Sequence, residues 1–280
     1  MKTIAMGSSG ARVALIGQGT WNMEHDDPDT AVLALRTGLD LGATHIDTAE
    51  MYGAGKVERL VGRAITGRRA DVYLVTKVLP SNASRAKTID ACERSLERLG
   101  TDYIDLYLLH WPGSHQFAET LAGFEQLVAA GKIRAYGVSN FDKQELTEAV
   151  ELAGPGKIAC NQVLYHLAER EIEAEIAPLA DGLGVSIVAY SPFAQGAFPR
   201  RGTAGRRALD DVAKKHSATA HQVALAFLAR TGRVFVIPKA ATPDHVRDNA
   251  KASELALDAA DLESIDRAFP LRRRGFLPTG

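Results

Sequence analysis

The sequence predicts an α/β fold, a (β/α)8 TIM barrel with a small β-hairpin at its base, on three observations. Short β-branched runs alternate with longer amphipathic patterns from one end of the chain to the other. Eight such units follow one another with no linker-like or low-complexity segment between them. A chain of 280 residues is also long enough for one large barrel, which buries about three quarters of its unfolded surface. Residues 1–280 are therefore expected to form a single domain.

The elements follow in order. The first dozen residues read as a hairpin turning at Ser8-Ser9-Gly10, a lid on the barrel's bottom. The strand candidates are residues 13–17, 44–47, 72–77, 104–110, 135–139, 158–162, 186–190 and 234–238. The first helix opens at Asp27-Pro28, a start signal, and carries Ala31, Leu33, Leu35, Leu39 and Leu41 as its apolar set. Ala91, Leu96 and Leu99 end at Gly100; Phe124, Leu127 and Val128 end at Gly131; Val212, Val223, Leu225, Phe227 and Leu228 run towards Gly232. Strands separated by helices imply parallel pairing through right-handed crossovers. The competing fold, an open doubly wound sheet, would need GxGxxG at its first turn. The chain offers Gly17-Gln18-Gly19-Thr20-Trp21-Asn22, with Asn22 at the third glycine position, and the barrel is preferred.

Composition narrows the function. Lys and Arg number 33 against 34 Asp and Glu, a formal charge of −1 with the signs interspersed, so neither nucleic acid nor an anionic membrane is an expected partner. The opening Met1-Lys2-Thr3-Ile4-Ala5 lacks the apolar core of a signal peptide, and no run approaches membrane-spanning length. Cys92 and Cys160 show no CxxC or other metal spacing and read as inert thiols of a reducing cytoplasm. No metal site is expected. His45-Ile46-Asp47 offers one histidine where a metal-dependent barrel hydrolase uses two on an alternating strand face. The Arg272-Arg273-Arg274 run is expected to be a solvated tail.

Four polar residues carry the chemistry. Asp47, Lys77 and His110 each end a β-like run, and Tyr52 follows Asp47 in the glycine-bearing loop Glu50-Met51-Tyr52-Gly53. A lone acid, amine or imidazole at a strand end is more often a satisfied structural group; their joint placement is the signal. Strand C-termini of a barrel share one mouth, so the four are expected to converge there. A free phenol titrates near ~10 and donates poorly at neutral pH. The Lys77 ammonium is expected to lower that value, with Asp47 keeping Lys77 charged. His110 would orient and polarise a carbonyl through a ring N–H. Such a general acid for a developing alkoxide is worth about 10²–10⁴ in rate. Reduction also needs a hydride, which side chains lack, so a nicotinamide is implied.

Six segments together resemble the aldo-keto reductase family: His45-Ile46-Asp47-Thr48-Ala49-Glu50-Met51-Tyr52-Gly53, Leu106-Tyr107-Leu108-Leu109-His110-Trp111, Gly137-Val138-Ser139-Asn140-Phe141, Asn161-Gln162, Ala189-Tyr190-Ser191-Pro192 and Ile237-Pro238-Lys239. The resemblance spans the chain and is of the short-looped bacterial type. It implies Tyr52 as proton donor, Lys77 and Asp47 as its tuning pair and His110 as the carbonyl-orienting group. It implies a grip on a nicotinamide carboxamide by Ser139, Asn140 and Gln162, with Tyr190 stacked on the ring. Gly19, Thr20, Trp21, Asp47, Ser191, Phe193 and Ile237 join the implied cofactor contacts. Lys239 would meet the adenosine phosphate beside a helix opened by Thr242-Pro243-Asp244, a natural anion site. Asp248-Asn249 resembles the pair that recognises adenine.

The chain departs from the family at Ala240, where many members carry Ser or Thr, and at His245, where an arginine is common, with Arg247 two residues on. NADPH is the expected cofactor, with NADH as the alternative. The loop after His110 and the tail after Pro270 are short, which predicts an open mouth lined by Trp21, Met51, Tyr52, His110, Trp111 and Phe193. The expected activity is hydride transfer to small aldehydes, ketones or 2-oxoaldehydes by a monomer. Two alternatives stand beside it: a Schiff-base aldolase using Lys77, and a non-catalytic NADP(H)-binding regulatory subunit.

Overall fold

A computed structural model describes residues 1–272 and 277–279. Thr3–Ala5 (β1) and Arg12–Ala14 (β2) pair antiparallel, Thr3 opposite Ala14. Between them a tight turn at Gly7–Ser9 points into the base of the barrel. There the Gly7 amide donates to Ser186 Oγ at 2.7 Å, and Met6 is fully buried against Val75, Leu106, Leu108 and Phe235. The hairpin therefore closes the N-terminal end of the barrel, as the sequence predicts.

The barrel strands are Gln18–Gly19 (β3), His45–Asp47 (β4), Tyr73–Val78 (β5), Ile104–Leu109 (β6), Ile133–Ser139 (β7), Ile158–Leu164 (β8), Ser186–Tyr190 (β9) and Val234–Val236 (β10). Each pairs in parallel with its neighbour in sequence, from β3 through to β10. The ring closes at the β3–β10 seam. Gly17 N donates to Val236 O at 2.8 Å, Val236 N to Leu15 O at 2.9 Å and Gly19 N to Pro238 O at 3.1 Å. The expected first strand, residues 13–17, straddles two sheets. Its start belongs to β2, and the barrel strand proper lies at Gln18–Gly19. One apolar run feeds both elements, so periodicity alone could not divide it.

Side chains alternate as a half-turned strand requires. On β6, Leu106 and Leu108 point into the barrel, while Tyr107 and Leu109 face the helices. The same parity places His45 and Asp47 of β4 inward, and Lys77 in line with Tyr73 and Val75 of β5.

The helices are Pro28–Asp40 (α1), Lys56–Ile65 (α2), Arg85–Leu99 (α3), Phe117–Ala129 (α4), Lys143–Ala153 (α5), Ile176–Gly182 (α6), Ala204–Lys215 (α7), Ala220–Leu228 (α8), Pro243–Lys251 (α9) and Ala259–Ala268 (α10). On α1, Asp27 caps the Thr30 amide and Pro28 fills the first turn, as expected. The apolar stripe differs, however. Ala31, Ala34, Leu35 and Leu39 are buried, whereas Leu33 and Leu41 face solvent, because a 3.6-residue period carries them off the core side. The run from Val212 towards Gly232 is two helices. Thr219 starts the second with a reciprocal capping box to Gln222, a signal present in the sequence. Among the described residues no helix is long and apolar enough to cross a membrane. Arg273 and Arg274 of the basic run lie outside the described residues.

One buried charge pair ties the helical layer to β5. Glu58 of α2 is fully buried and accepts from Thr76 Oγ1 at 2.7 Å and from Arg98 Nε of α3 at 2.5 Å. Gly55, at φ +84°, makes room for Arg98, whose Cδ would lie 2.5 Å from a Cβ placed there. Removing one partner of a buried pair strands the other charge. Arg98→Met should therefore cost about 3 kcal/mol of stability, read by urea denaturation; a loss below about 1 kcal/mol would show that the pair is energetically a surface contact.

Candidate active site

The parity of β4 and β5 brings Asp47 and Lys77 together beneath the mouth, 1% and 0% exposed. Lys77 Nζ donates to Asp47 Oδ1 at 2.6 Å, to Thr48 O at 2.8 Å and to Tyr52 Oη at 3.3 Å, which uses all three ammonium protons. The second carboxylate oxygen of Asp47 accepts from Gln162 Nε2 of β8 at 2.7 Å. Thr20 Oγ1 donates to Asp47 O at 2.8 Å, so the end of β4 is held from the β3 side too.

Tyr52 reaches this group from a loop braced on both flanks. Ahead of it, Glu50 accepts from the Leu79 amide at 2.7 Å and from Asn82 Nδ2 at 2.9 Å. Behind it, Gly53 and Ala54 take left-handed conformations that turn the chain into α2. The ring is partly exposed at the mouth, while the hydroxyl is enclosed. Burial is the largest influence on the phenol and pushes its pKa above 10.0, with the Lys77 ammonium opposing. This corrects the expectation that Lys77 would lower the phenol's pKa outright: desolvation wins in the resting protein. Lys77 itself titrates above its ordinary 10.5, since Asp47 and the Tyr52 hydroxyl outweigh the burial that would discharge it. The resting pair is thus a neutral phenol beside a charged amine.

His110 follows β6, its ring edge-on to Tyr52 at 5.8 Å between centroids and tilted against Trp111 at 4.7 Å. Burial, aided by the Lys77 charge, drops its pKa to about 2, so the imidazole is neutral and able to donate an N–H. Asn140, just past β7, takes a left-handed conformation (φ +59°) that an amide side chain tolerates. Its Nδ2 donates to His110 O at 3.1 Å and Ser139 Oγ at 3.2 Å, and its Oδ1 accepts from Tyr190 Oη at 2.9 Å. Gly137 permits this corner: a Cβ there would lie 2.7 Å from Cys160 O, where the β7–β8 register shifts.

A cavity of about 170 Å³ opens over these groups. Its wall contains Gly19, Thr20 and Trp21 after β3, Asp47, Met51 and Tyr52 after β4, and His110 with Trp111. Ser139, Asn140, Gln162, Tyr190, Ser191, Ile237 and Lys239 complete the far side. Trp21, Met51 and Trp111 are 39%, 38% and 36% exposed, an apolar part of this wall. Phe193 is the exception. It packs edge-on against Phe198 and His221, away from this wall. Ala240 is buried against Ala34 and Val246, and Asp248 ties α9 to α8 through Thr219 and Gln222. His245, Arg247 and Asn249 also lie on α9, outside the wall, with Arg247 paired to Asp244 at 2.9 Å.

Two residues escaped the sequence reading. Gln195 lines the cavity from the loop after β9, where Ser191, Ala194 and Gln195 all have positive φ. Asp26, before α1, places Oδ2 2.5 Å from Lys239 Nζ across the barrel seam. Neither follows from periodicity, because loop conformation and a contact between the two chain ends decide them.

The family model described as "Aldo/keto reductase family" matches residues 15–269. The chain is 48% identical over 257 residues to "Methylglyoxal reductase YeaE" of Escherichia coli (strain K12), covering 91% of this chain and 90% of that protein. It superposes on an aldo/keto reductase from Klebsiella pneumoniae solved in complex with NADP and acetate, with TM-score 0.93, 42% identity and 100% of each chain covered. A Klebsiella pneumoniae aldo-keto reductase in complex with NADPH gives the same TM-score and identity, over 100% of this chain and 99% of that one.

The site makes one prediction independent of turnover. Ring ¹⁵N NMR should show His110 neutral from about pH 8 down to about pH 4, and a titration centred near 6.5 would contradict the burial described. A ring that protonates at 6.5 when unfolded but near 2 when folded contributes fully above pH 6.5, and that contribution is lost as the pH falls towards 2.

Proposed function

This chain belongs to the aldo/keto reductase family, and from that premise we propose that it is an NADP-dependent reductase of small aldehydes, ketones and 2-oxoaldehydes. The 2-oxoaldehyde class includes methylglyoxal, the compound in the name of the Escherichia coli relative. The observation that carries the reading is the Asp47–Lys77–Tyr52 chain, 2.6 and 3.3 Å link by link, ending at a cavity wall that also holds His110.

The donor set fits a nicotinamide dinucleotide. Amide and hydroxyl groups of Ser139, Asn140 and Gln162 stand at one side, ready to hold a carboxamide once they exchange their internal bonds. Tyr190 offers a flat ring beside them. Ser191 and Gln195, both at positive φ, bring the loop after β9 to the cavity wall, where a diphosphate would lie. Lys239 stands at the far end, close before α9, for an adenosine phosphate. In this reading Gly19, Thr20, Trp21 and Ile237 line the same groove. A reduced nicotinamide bound there supplies the hydride.

The protein's own part is acid catalysis. His110, neutral, donates to the substrate carbonyl oxygen and orients it. Tyr52 gives its proton to that oxygen as negative charge develops. The phenolate left behind faces the Lys77 ammonium at 3.3 Å, so an attraction that is weak for the neutral phenol grows as the proton moves. Asp47 keeps the ammonium charged and in place. The same arrangement disfavours an aldolase: a Schiff-base lysine must be discharged, whereas Lys77 has a raised pKa and all three protons engaged. A regulatory subunit would need no such charge-relayed phenol.

Steady-state kinetics with NADPH and a panel of small carbonyls tests the reading. Tyr52→Phe should lose about 10²–10⁴ in kcat while NADP⁺ binding persists; unchanged turnover would remove Tyr52 as the acid. Because the phenol is raised and His110 stays neutral, the rate of the chemical step should be flat from about pH 6 to 9 and fall only above about 10. A loss centred near 6.5 would implicate a different group.

A further inference from the structure

We propose that Asp26 sets the cofactor preference of this protein by competing with a ligand's 2′-phosphate for the Lys239 ammonium. The inference rests on the reductase reading above and goes one residue beyond it. Lys239 is the one Lys or Arg in the cavity wall among the described residues. It stands a few residues before α9, whose N-terminus, capped by Thr242, adds the partial positive charge of a helix end. An arriving anion finds both, and a carboxylate already there. Asp26 Oδ2 is buried and lies 2.5 Å from Lys239 Nζ, in the only ion pair of either residue among those described.

The contact joins two loops across the barrel seam, since Gly19 and Lys239 are themselves bridged there. The bridge sets the start of the loop that carries Asp26 beside this corner. Arg247 of α9 also faces a carboxylate of its own, Asp244. A 2′-phosphate carries nearly two negative charges and must either displace Asp26 from Lys239 or sit beside it. Both cost binding energy that a 2′-hydroxyl does not pay. The corner therefore favours the phosphorylated cofactor only weakly, and NAD(H) binds alongside NADP(H). Asp26 never touches the cofactor in this account. It acts through Lys239 and is a positioning residue for specificity.

The experiment uses the intact protein and its own reporters. Its two tryptophans, Trp21 and Trp111, both stand in the cavity wall, so quenching of their fluorescence reads dinucleotide binding without turnover. For the wild type, the dissociation constants of NADP⁺ and NAD⁺ should lie within about tenfold of each other. Asp26→Asn should raise the preference for NADP⁺ about tenfold, chiefly through tighter NADP⁺ binding. Asp26→Ser, run in parallel, guards against a folding defect in either variant. In a Lys239→Met background the Asp26→Asn effect should vanish, the coupling that a merely structural role would not produce. An unchanged preference, or an equal change for both dinucleotides, overturns the inference and leaves the reductase reading intact. Failure of the wild type to bind either dinucleotide, checked by calorimetry, would sink both.

Discussion

The ion pair between Asp47 and Lys77 lies inside a barrel, where water cannot solvate it, and the mouth is built around meeting that demand. An unpaired charge at such depth costs several kcal/mol, and pairing compensates only when the remaining protons and lone pairs are also satisfied. Here they are. The ammonium donates to a carboxylate, a backbone carbonyl and a phenol, and the second carboxylate oxygen takes an amide proton from the far side of the barrel. Satisfaction of one buried charge thus fixes four things at once: the end of β4, the inward row of β5, the Tyr52 loop and Gln162 on β8. Reducing any of these to packing alone would leave a polar atom stranded in the core.

The same constraint explains why the Tyr52 loop is braced so heavily for a surface segment. The third ammonium proton has a useful acceptor only if the hydroxyl stays within reach. Glu50 anchors the loop to the turn after β5, and the left-handed run 53–55 delivers the chain to α2. There Glu58 locks onto Thr76, the immediate neighbour of Lys77. Two buried acids therefore hold the amine and the phenol in one frame, through β5 on one side and α2 on the other. Rigid support of this kind suits the proton donor proposed for Tyr52, since small displacements of a reacting group weaken catalysis steeply.

Much of this frame was legible in the residues, and what was not divides along physical lines. Asp47, Lys77 and His110 could be placed because strand parity and strand ends are local properties, and barrel topology carries them to one mouth. Tyr52 could be added because a glycine-bearing loop keeps it close to Asp47. Phe193 went elsewhere because its loop turns through several left-handed residues and offers it an aromatic pocket with Phe198 and His221. Asp26 was invisible because its partner lies more than two hundred positions away and meets it only when the barrel closes. The direction of the Tyr52 pKa was misread for a related reason. A charge neighbour can be named from sequence, but the depth at which the pair is desolvated belongs to the assembled barrel.

That misreading turns out to matter for how the site can work. A phenol ionised at rest would have no proton to give. In the proposed reaction, because burial wins, the proton is held until a neighbouring oxygen begins to carry charge. The ammonium's attraction then grows as the phenolate forms, so the stabilisation is greater in the transition state than before it. A buried amine, kept charged by an acid that is itself fully bonded, supplies this without reorganising any group at the moment of transfer. The cost of burying the pair is borne in folding, and the mouth above it is open and apolar. On the proposed reading, such a site is demanding about the carbonyl oxygen and permissive about what the carbonyl is attached to.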